Sequence, residues 1–109
     1  MMTIDLPRPI ANYFQADKGD SEAIVTCFSE NAMVKDEGQT HTGLDAIKQW
    51  KANASTKYTY TVEPQALNEN AEQTIVTGLV TGNFPGSPVN LQYAFTLDGD
   101  KITSLEITL

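Results

Sequence analysis

Hydrophobic residues recur at helical spacing in the first part of the chain. Pro7 and Pro9 predict the start of a first helix, because proline suits the first helical turn. Gly19 is expected to end that helix, and Asp20 can cap a second one. The apolar side chains of the first helix are Ile10, Tyr13 and Phe14, and those of the second are Ala23, Ile24, Cys27 and Phe28. The pattern predicts two successive amphipathic helices.

A short apolar run that ends in an acid precedes a third helix. Residues 32–36 read as a strand that ends at Asp36, and residues 37 and 38 read as a turn. Thr42 followed three residues later by Asp45 is typical of the capping box that begins a helix. The expected apolar face of that helix consists of Gly43, Ile47, Trp50 and Ala54.

From Lys57 onward the period of the pattern changes from helical to two residues. Alternating or continuous apolar residues predict strands at 58–63, 74–83, 89–97 and 101–109, with turns at 68–73, 84–88 and 98–100. The strand at 74–83 is apolar on both faces and should lie inside the sheet. Its Gly78 and Gly82 indicate bulges or strong curvature.

Three helices followed by strands predict a single α+β domain spanning residues 1–109. We expect a cone-shaped, curved antiparallel sheet whose concave face is covered by the three N-terminal helices. Such an arrangement leaves a cavity lined by aromatic side chains. The opposite sheet face can meet water or a second subunit, and we predict a homodimer formed through that convex face.

Composition excludes several classes of partner. The chain has 109 residues, a formal net charge of −7 and a pI of about 4.4, so neither nucleic acid nor an anionic membrane is an expected partner. The N-terminal residues lack the pattern of a signal peptide, and no apolar run is long enough to span a membrane. Cys27 is the single cysteine, which excludes an internal disulfide and favours a cytoplasmic location.

The order of elements and several local motifs resemble one superfamily. The residues that carry the resemblance are Tyr13-Phe14, Gly19-Asp20, Ala23-Ile24, Phe28, Asn31-Ala32, Asp36, Gly43, Ala46-Ile47, Trp50 and Asp98-Gly99-Asp100-Lys101-Ile102. They look like the nuclear transport factor 2-like superfamily, and most like its SnoaL-like branch, which is related to the ketosteroid isomerase and polyketide cyclase folds. The resemblance covers nearly the whole chain. It implies the fold but leaves the chemistry open, because this superfamily contains both enzymes and proteins without known activity.

The ketosteroid isomerase branch can be compared residue by residue. Asp36 matches the general-base aspartate of that branch, and Trp50 matches an aromatic position of its steroid pocket. The oxyanion tyrosine of the branch falls nearer Asn12 than Tyr13, and its oxyanion aspartate falls near Leu91. The resemblance therefore implies a base without the usual pair of oxyanion donors, which argues against ketosteroid isomerisation itself.

Three residues are candidates for catalysis, each with a plainer interpretation. Asp36 is a general base or a turn residue that accepts backbone hydrogen bonds. His41, the single histidine, is an acid/base partner or an exposed residue before a helix. Tyr13 is a hydrogen-bond donor or a packing residue between helix and sheet.

Five aromatic residues either line a ligand pocket or simply fill the core: Trp50, Tyr58, Tyr60, Tyr93 and Phe95. Cys27 is expected to be a buried structural thiol. One histidine and one cysteine cannot supply a tetrahedral zinc site, and no cofactor motif is present, so we expect neither metal nor cofactor.

Three functions remain open from the sequence. The first is binding of a small, largely apolar molecule in an aromatic-lined cavity, with Asp36 as its polar anchor. The second is an isomerase, cyclase or dehydratase reaction in which Asp36 is the base, assisted by Tyr13 or His41. The third is a protein-interaction module. The missing oxyanion pair favours the first over the second, and the concentration of aromatic residues favours either over the third.

Overall fold

The computed structural model describes residues 6–17, 21–70 and 72–109. Its elements in chain order are α1 (Arg8–Ala16), α2 (Ser21–Val25), β1 (Phe28–Asp36), β2 (Gln39–Thr42), α3 (Leu44–Lys57), β3 (Tyr60–Glu69), β4 (Thr74–Gly82), β5 (Val89–Asp98) and β6 (Lys101–Thr108). The predicted α+β class is confirmed. Within these residues, no helix is both long enough and apolar enough to cross a membrane. The helix boundary expected at Gly19 and Asp20 lies outside the described residues.

The six strands form one curved, open sheet in the order β2-β1-β6-β5-β4-β3. All neighbouring strands are antiparallel except β1 and β6, which are parallel. The parallel pair joins the first strand of the chain to the last, which lie side by side in the sheet. The register of β3 on β4 shifts between Pro64 and Ala66, opposite Gly78. The irregularity expected near Gly78 therefore occurs, but the extra residue lies in the partner strand.

The boundary between α2 and β1 differs from the sequence prediction. The second helix ends at Val25, Cys27 lies in a turn, and Phe28 already belongs to β1. The reason is non-local: Phe28 is the register partner of Ile102, and the Ile102 amide donates to the Cys27 carbonyl over 2.9 Å. Pairing with β6 thus places Phe28 in a strand, although its spacing in the sequence also suits a helix.

The expected capping box at Thr42 is wrong. Thr42 ends the strand β2, where it is the register partner of Met33, and Gly43 occupies the N-cap of α3. Gly43 has φ 89°, a conformation that favours glycine. In the described part of the chain, α3 receives no side-chain hydrogen bond at this cap. Strand β2 itself was missed, because its four residues are polar and mostly exposed at the sheet edge.

The core lies between the helices and one face of the sheet. Strand β4 shows the alternation most clearly, since Thr74, Val76 and Val80 are buried while Ile75 and Leu79 are only half-buried. Four aromatic rings meet at the centre of this core: Tyr13, Phe14, Tyr93 and Phe95. Their centroids lie 5.1–6.5 Å apart, mostly in edge-to-face contacts. This aromatic cluster packs α1 against β5.

Candidate functional site

A cavity of about 450 Å³ opens between the helices and the sheet. Its walls are mostly apolar or aromatic and come from α3, from the sheet, and from the loop between β4 and β5. Leu109, which is 90% exposed, and the exposed loop residues Pro85 and Gly86 border its open side. A volume of this size is within the range of small-molecule sites in proteins.

Asp36 borders the cavity at the point where β1 ends. The indole Nε1 of Trp50 donates a hydrogen bond to its Oδ2 over 3.0 Å, which ties the end of the strand to α3. Burial of the carboxyl group raises the pKa of Asp36, and the Trp50 hydrogen bond offsets this in part. Asp36 is therefore a half-buried carboxylate whose charged form is disfavoured, held in one orientation by the only tryptophan of the chain.

Two tyrosine hydroxyls face the cavity without a protein partner. Tyr13 and Tyr93 are 2% and 4% exposed, and both border the cavity. Among the described residues, neither hydroxyl has a hydrogen-bond partner. No fully buried side-chain oxygen or nitrogen there lacks a partner, so both hydroxyls must reach open space. Burial, followed by the nearby charge of Asp17, raises the pKa of both phenols. Both hydroxyls therefore keep their protons and can donate to a molecule in the cavity.

A buried lysine lies beside the cavity, and the sequence analysis missed it. Lys51 on α3 is 2% exposed, and its ammonium donates to the Asp17 carboxylate over 2.7 Å and to the Asp17 carbonyl over 3.0 Å. It also donates to the Tyr60 hydroxyl over 3.1 Å. Burial by itself lowers the pKa of Lys51, but Asp17 and Tyr60 outweigh burial, and the pKa is raised. Lys51 stays charged inside the protein.

The sequence carries a signal for this lysine. Lys51 lies four residues after Ile47 and three before Ala54, so it falls on the expected apolar face of α3. A lysine in an apolar stripe predicts either a paired buried charge or a break in the stripe. The partner could not be read from the sequence, because Asp17 is 34 positions away.

The structure separates the predicted aromatic residues into two groups. Trp50, Tyr58, Tyr60 and Tyr93 border the cavity. Phe95 is fully buried and packs against Tyr13 and Phe14, so it lies in the core behind the cavity wall.

His41 is half-buried on β2 and does not border the cavity. Its ring centroid lies 6.3 Å from that of Trp50, and its charge would lower the pKa of Asp36, so it can affect the Asp36 carboxyl without bordering the cavity. Leu91, near which the resemblance puts the oxyanion aspartate of the ketosteroid isomerase branch, does border the cavity and makes that wall apolar. Within the described residues, no three side chains of His, Cys, Asp or Glu are grouped so that they could hold a metal ion.

The sequence of residues 10–105 matches the family model of the SnoaL-like domain. The chain belongs to the SnoaL-like family. This match spans most of the 109 residues and confirms the superfamily to which the sequence motifs pointed. No curated protein sequence matches the chain.

Solved structures of similar proteins agree with this SnoaL-like assignment. A candidate polyketide cyclase from Sinorhizobium meliloti is 38% identical, with a TM-score of 0.90 over 94% of this chain and 95% of that one. An epoxide hydrolase/cyclase-like enzyme of pyran-ring formation in the polyether salinomycin is 26% identical, with a TM-score of 0.76 over 91% and 85% of the two chains.

A third solved structure is similar in fold alone. It is a Catenulispora acidiphila protein with a ketosteroid isomerase-like fold, solved in complex with trimethylamine. It is 20% identical, with a TM-score of 0.85 over 96% of this chain and 87% of that one.

Proposed function

We propose that this SnoaL-like protein binds a small, largely apolar molecule in the cavity between α3 and the sheet. The observation that carries the proposal is the cavity itself, about 450 Å³ with mostly apolar walls and a few convergent polar groups. Trp50, Tyr58, Tyr60 and Tyr93 supply the aromatic walls. Aromatic and aliphatic walls favour an apolar skeleton, since its transfer from water is favourable.

Asp36 is the polar anchor in this proposal. The carboxyl group is fixed by Trp50, and burial raises its pKa, so it can accept a hydrogen bond when charged and donate one when protonated. The hydroxyls of Tyr13 and Tyr93 offer further donors within the same cavity. A ligand with an apolar body and one or two polar atoms matches these groups.

The binding proposal is tested by filling the cavity. Ala54 borders the cavity, whereas Ala52 lies two residues earlier on α3, is half-buried and does not border it. We expect a panel of apolar ketones, alcohols and hydrocarbons to raise the melting temperature of the wild type. Ala54→Leu should reduce that stabilisation, and the matched control Ala52→Leu should not. Equal ligand responses from both variants would contradict binding in this cavity.

Catalysis is the second candidate, favoured by the raised pKa of Asp36 at the cavity wall. In this reaction Asp36 takes a proton from a carbon atom next to a carbonyl group. The electron pair of the broken C–H bond moves onto the carbonyl oxygen, which accepts a hydrogen bond from Tyr13. The 38% identity to a candidate polyketide cyclase supports a substrate of the ketone class.

Asp36→Asn distinguishes the two candidates, because asparagine keeps the shape and can still accept from Trp50. A general base contributes about 10²–10⁴-fold to a rate, so an enzyme should lose turnover by that factor and retain binding. A binding protein shows no turnover in either form. Full turnover by the variant on any accepted ketone or epoxide would remove Asp36 from the mechanism.

We also propose a cytoplasmic homodimer. Asn90, Gln92 and Glu106 alternate with residues that face the cavity or the core, so they lie on the opposite face of the sheet. That face is the surface through which a second copy would pair by twofold symmetry. Sedimentation that shows only monomer at tens of micromolar would contradict the dimer. The cytoplasmic location is supported by Cys27, a free and buried thiol.

A further inference from the structure

The Lys51 ammonium has no proton left for any other group. An ammonium carries three N–H donors, and Lys51 directs one to the Asp17 carboxylate, one to the Asp17 carbonyl and one to the Tyr60 hydroxyl. The oxygen of Tyr60 is therefore an acceptor of a charge-assisted hydrogen bond. The same ammonium lies 5.1 Å from the centroid of the Tyr60 ring, a distance that follows from its hydrogen bond to the hydroxyl.

The proton of Tyr60 remains available to a ligand. Its nearest acceptor in the described structure is Asp17 Oδ1 at 3.4 Å, longer than the usual range of about 2.5–3.0 Å for an O–H···O bond. That carboxylate oxygen already accepts from Lys51 at 2.7 Å. Tyr60 borders the cavity, so a better acceptor placed there can take this proton.

The ammonium withdraws electron density from the Tyr60 oxygen, which favours donation of the Tyr60 proton to a ligand. Burial and the Asp17 carboxylate act in the opposite direction and leave the pKa of Tyr60 raised, so the phenol keeps its proton. A hydrogen bond accepted by the oxygen polarises the O–H bond, and chains of hydrogen bonds strengthen one another in a low-dielectric interior. Lys51 is 2% exposed and the Asp17 side chain is 10% exposed, so water screens this effect only slightly.

We propose that Tyr60, polarised by Lys51, donates a hydrogen bond to an oxygen atom of the ligand, which therefore carries a carbonyl or enol oxygen on its apolar skeleton. This rests on the proposed binding function and narrows the class of ligand. Lys51 is a positioning residue in this arrangement, because it acts on the ligand only through Tyr60. The subsite supplies a hydrogen-bond donor to a cavity whose wall is apolar at Leu91.

The test uses two probes of the same shape, 2-acetylnaphthalene and 2-isopropenylnaphthalene, which differ in having a carbonyl oxygen or a methylene group. The ratio of their Kd values is compared between proteins, so that differences in hydration of the probes cancel. We expect Tyr60→Phe to shift this ratio by about 3- to 10-fold against the ketone, the value of one ordinary hydrogen bond, with little change for the hydrocarbon.

A spectroscopic readout separates polarisation from simple support of the fold. The infrared carbonyl stretch of bound 2-acetylnaphthalene should be lowered in the wild type and should rise in Tyr60→Phe. It should rise part of the way in the charge-neutral double variant Lys51→Met/Asp17→Asn. Lys48→Met is the matched control, because Lys48 lies on the same helix and its ion pair with Glu22 is at the surface.

The possible outcomes are distinct. If neither probe binds, the proposed function and this inference fail together. If both probes bind but Tyr60→Phe changes neither the Kd ratio nor the carbonyl stretch, the cavity still binds ligands and the Tyr60 subsite is refuted. A carbonyl shift that disappears in Tyr13→Phe instead would place the ligand oxygen elsewhere and also overturn the proposal. An unchanged carbonyl stretch in the double variant would refute the polarisation of Tyr60 by Lys51.

Discussion

Two lysines on the same helix offer a comparison between a buried and an exposed ion pair. Lys51 pairs with Asp17 over 2.7 Å, with side-chain exposures of 2% and 10%. Lys48 pairs with Glu22 over 3.1 Å, with exposures of 47% and 76%. The perturbation is the same in both cases, replacement of lysine by methionine, which keeps the unbranched stem of the side chain and removes the charged ammonium.

The expected costs differ because the carboxylate left behind is buried in one case only. Removing one partner of a buried pair costs about 3–5 kcal/mol, since an uncompensated charge remains, whereas an exposed pair contributes at most about 1 kcal/mol. At about 4 °C per kcal/mol for a chain of this size, Lys51→Met should lower Tm by about 12–20 °C. Lys48→Met should change it by less than about 4 °C.

The assay is urea unfolding followed by circular dichroism, with calorimetry for Tm. It is applied to a double-mutant cycle that consists of the wild type, Lys51→Met, Asp17→Asn and Lys51→Met/Asp17→Asn. Lys51→Met/Asp17→Asn should recover much of the stability lost in Lys51→Met, because the orphaned charge is gone. Equal, small effects from Lys51→Met and Lys48→Met would refute the reasoning, since they would show that the Lys51 pair is hydrated in solution. A double variant no more stable than Lys51→Met would refute the role assigned to Asp17.

Three further outcomes follow from the cavity walls. Burial raises the pKa of Asp36 in the folded chain, so the folded state binds the proton of this carboxyl group more tightly than the unfolded state does. The resulting contribution to the free energy of unfolding is complete below the ordinary aspartate pKa of about 3.9 and is lost as pH rises through the folded-state pKa. Asp36→Asn should therefore gain stability relative to wild type from pH 4 to 7 in urea titrations, and a loss would contradict this sign. Trp50 is the only tryptophan, so a non-aromatic ketone bound in the cavity should protect its fluorescence from acrylamide; unchanged quenching under saturation would place the ligand elsewhere. Gly78→Ala should cost about 1–3 kcal/mol by overpacking, because the added methyl group would meet Tyr93 Cε1 at 2.9 Å and Val62 Cγ1 at 3.0 Å; a neutral result in thermal unfolding would show that the Tyr93 ring moves freely.

Much of the fold could be predicted because periodicity reports which face of an element is buried. Tyr13 and Phe14 on α1 and Tyr93 on β5 were expected to pack inward, and all three are buried. The glycine-containing turns were also readable, since Gly86 and Gly99 have positive φ values that few other residues adopt. These features depend on a few neighbouring residues.

Only the tertiary structure decided which strand, core residue or cavity each apolar face contacts. Spacing on the chain suits a helix at Cys27 and Phe28, but pairing with β6 makes Phe28 part of a strand. Tyr93 and Phe95 lie two residues apart on the same face of β5, yet only Tyr93 borders the cavity. The reason is that the curvature and bulges of the sheet determine where the open space lies, and a two-residue period does not contain that information.

The candidate site divides in the same way. The sequence itself determined that an acid ends β1 and that a tryptophan lies on the inward face of α3, and the structure joins them by one hydrogen bond. It also placed a lysine in the apolar stripe of α3, but only tertiary packing could supply Asp17 and Tyr60 as its partners. A buried charge is tolerated when distant residues satisfy it, and those distances are set by the whole fold and not by any local pattern.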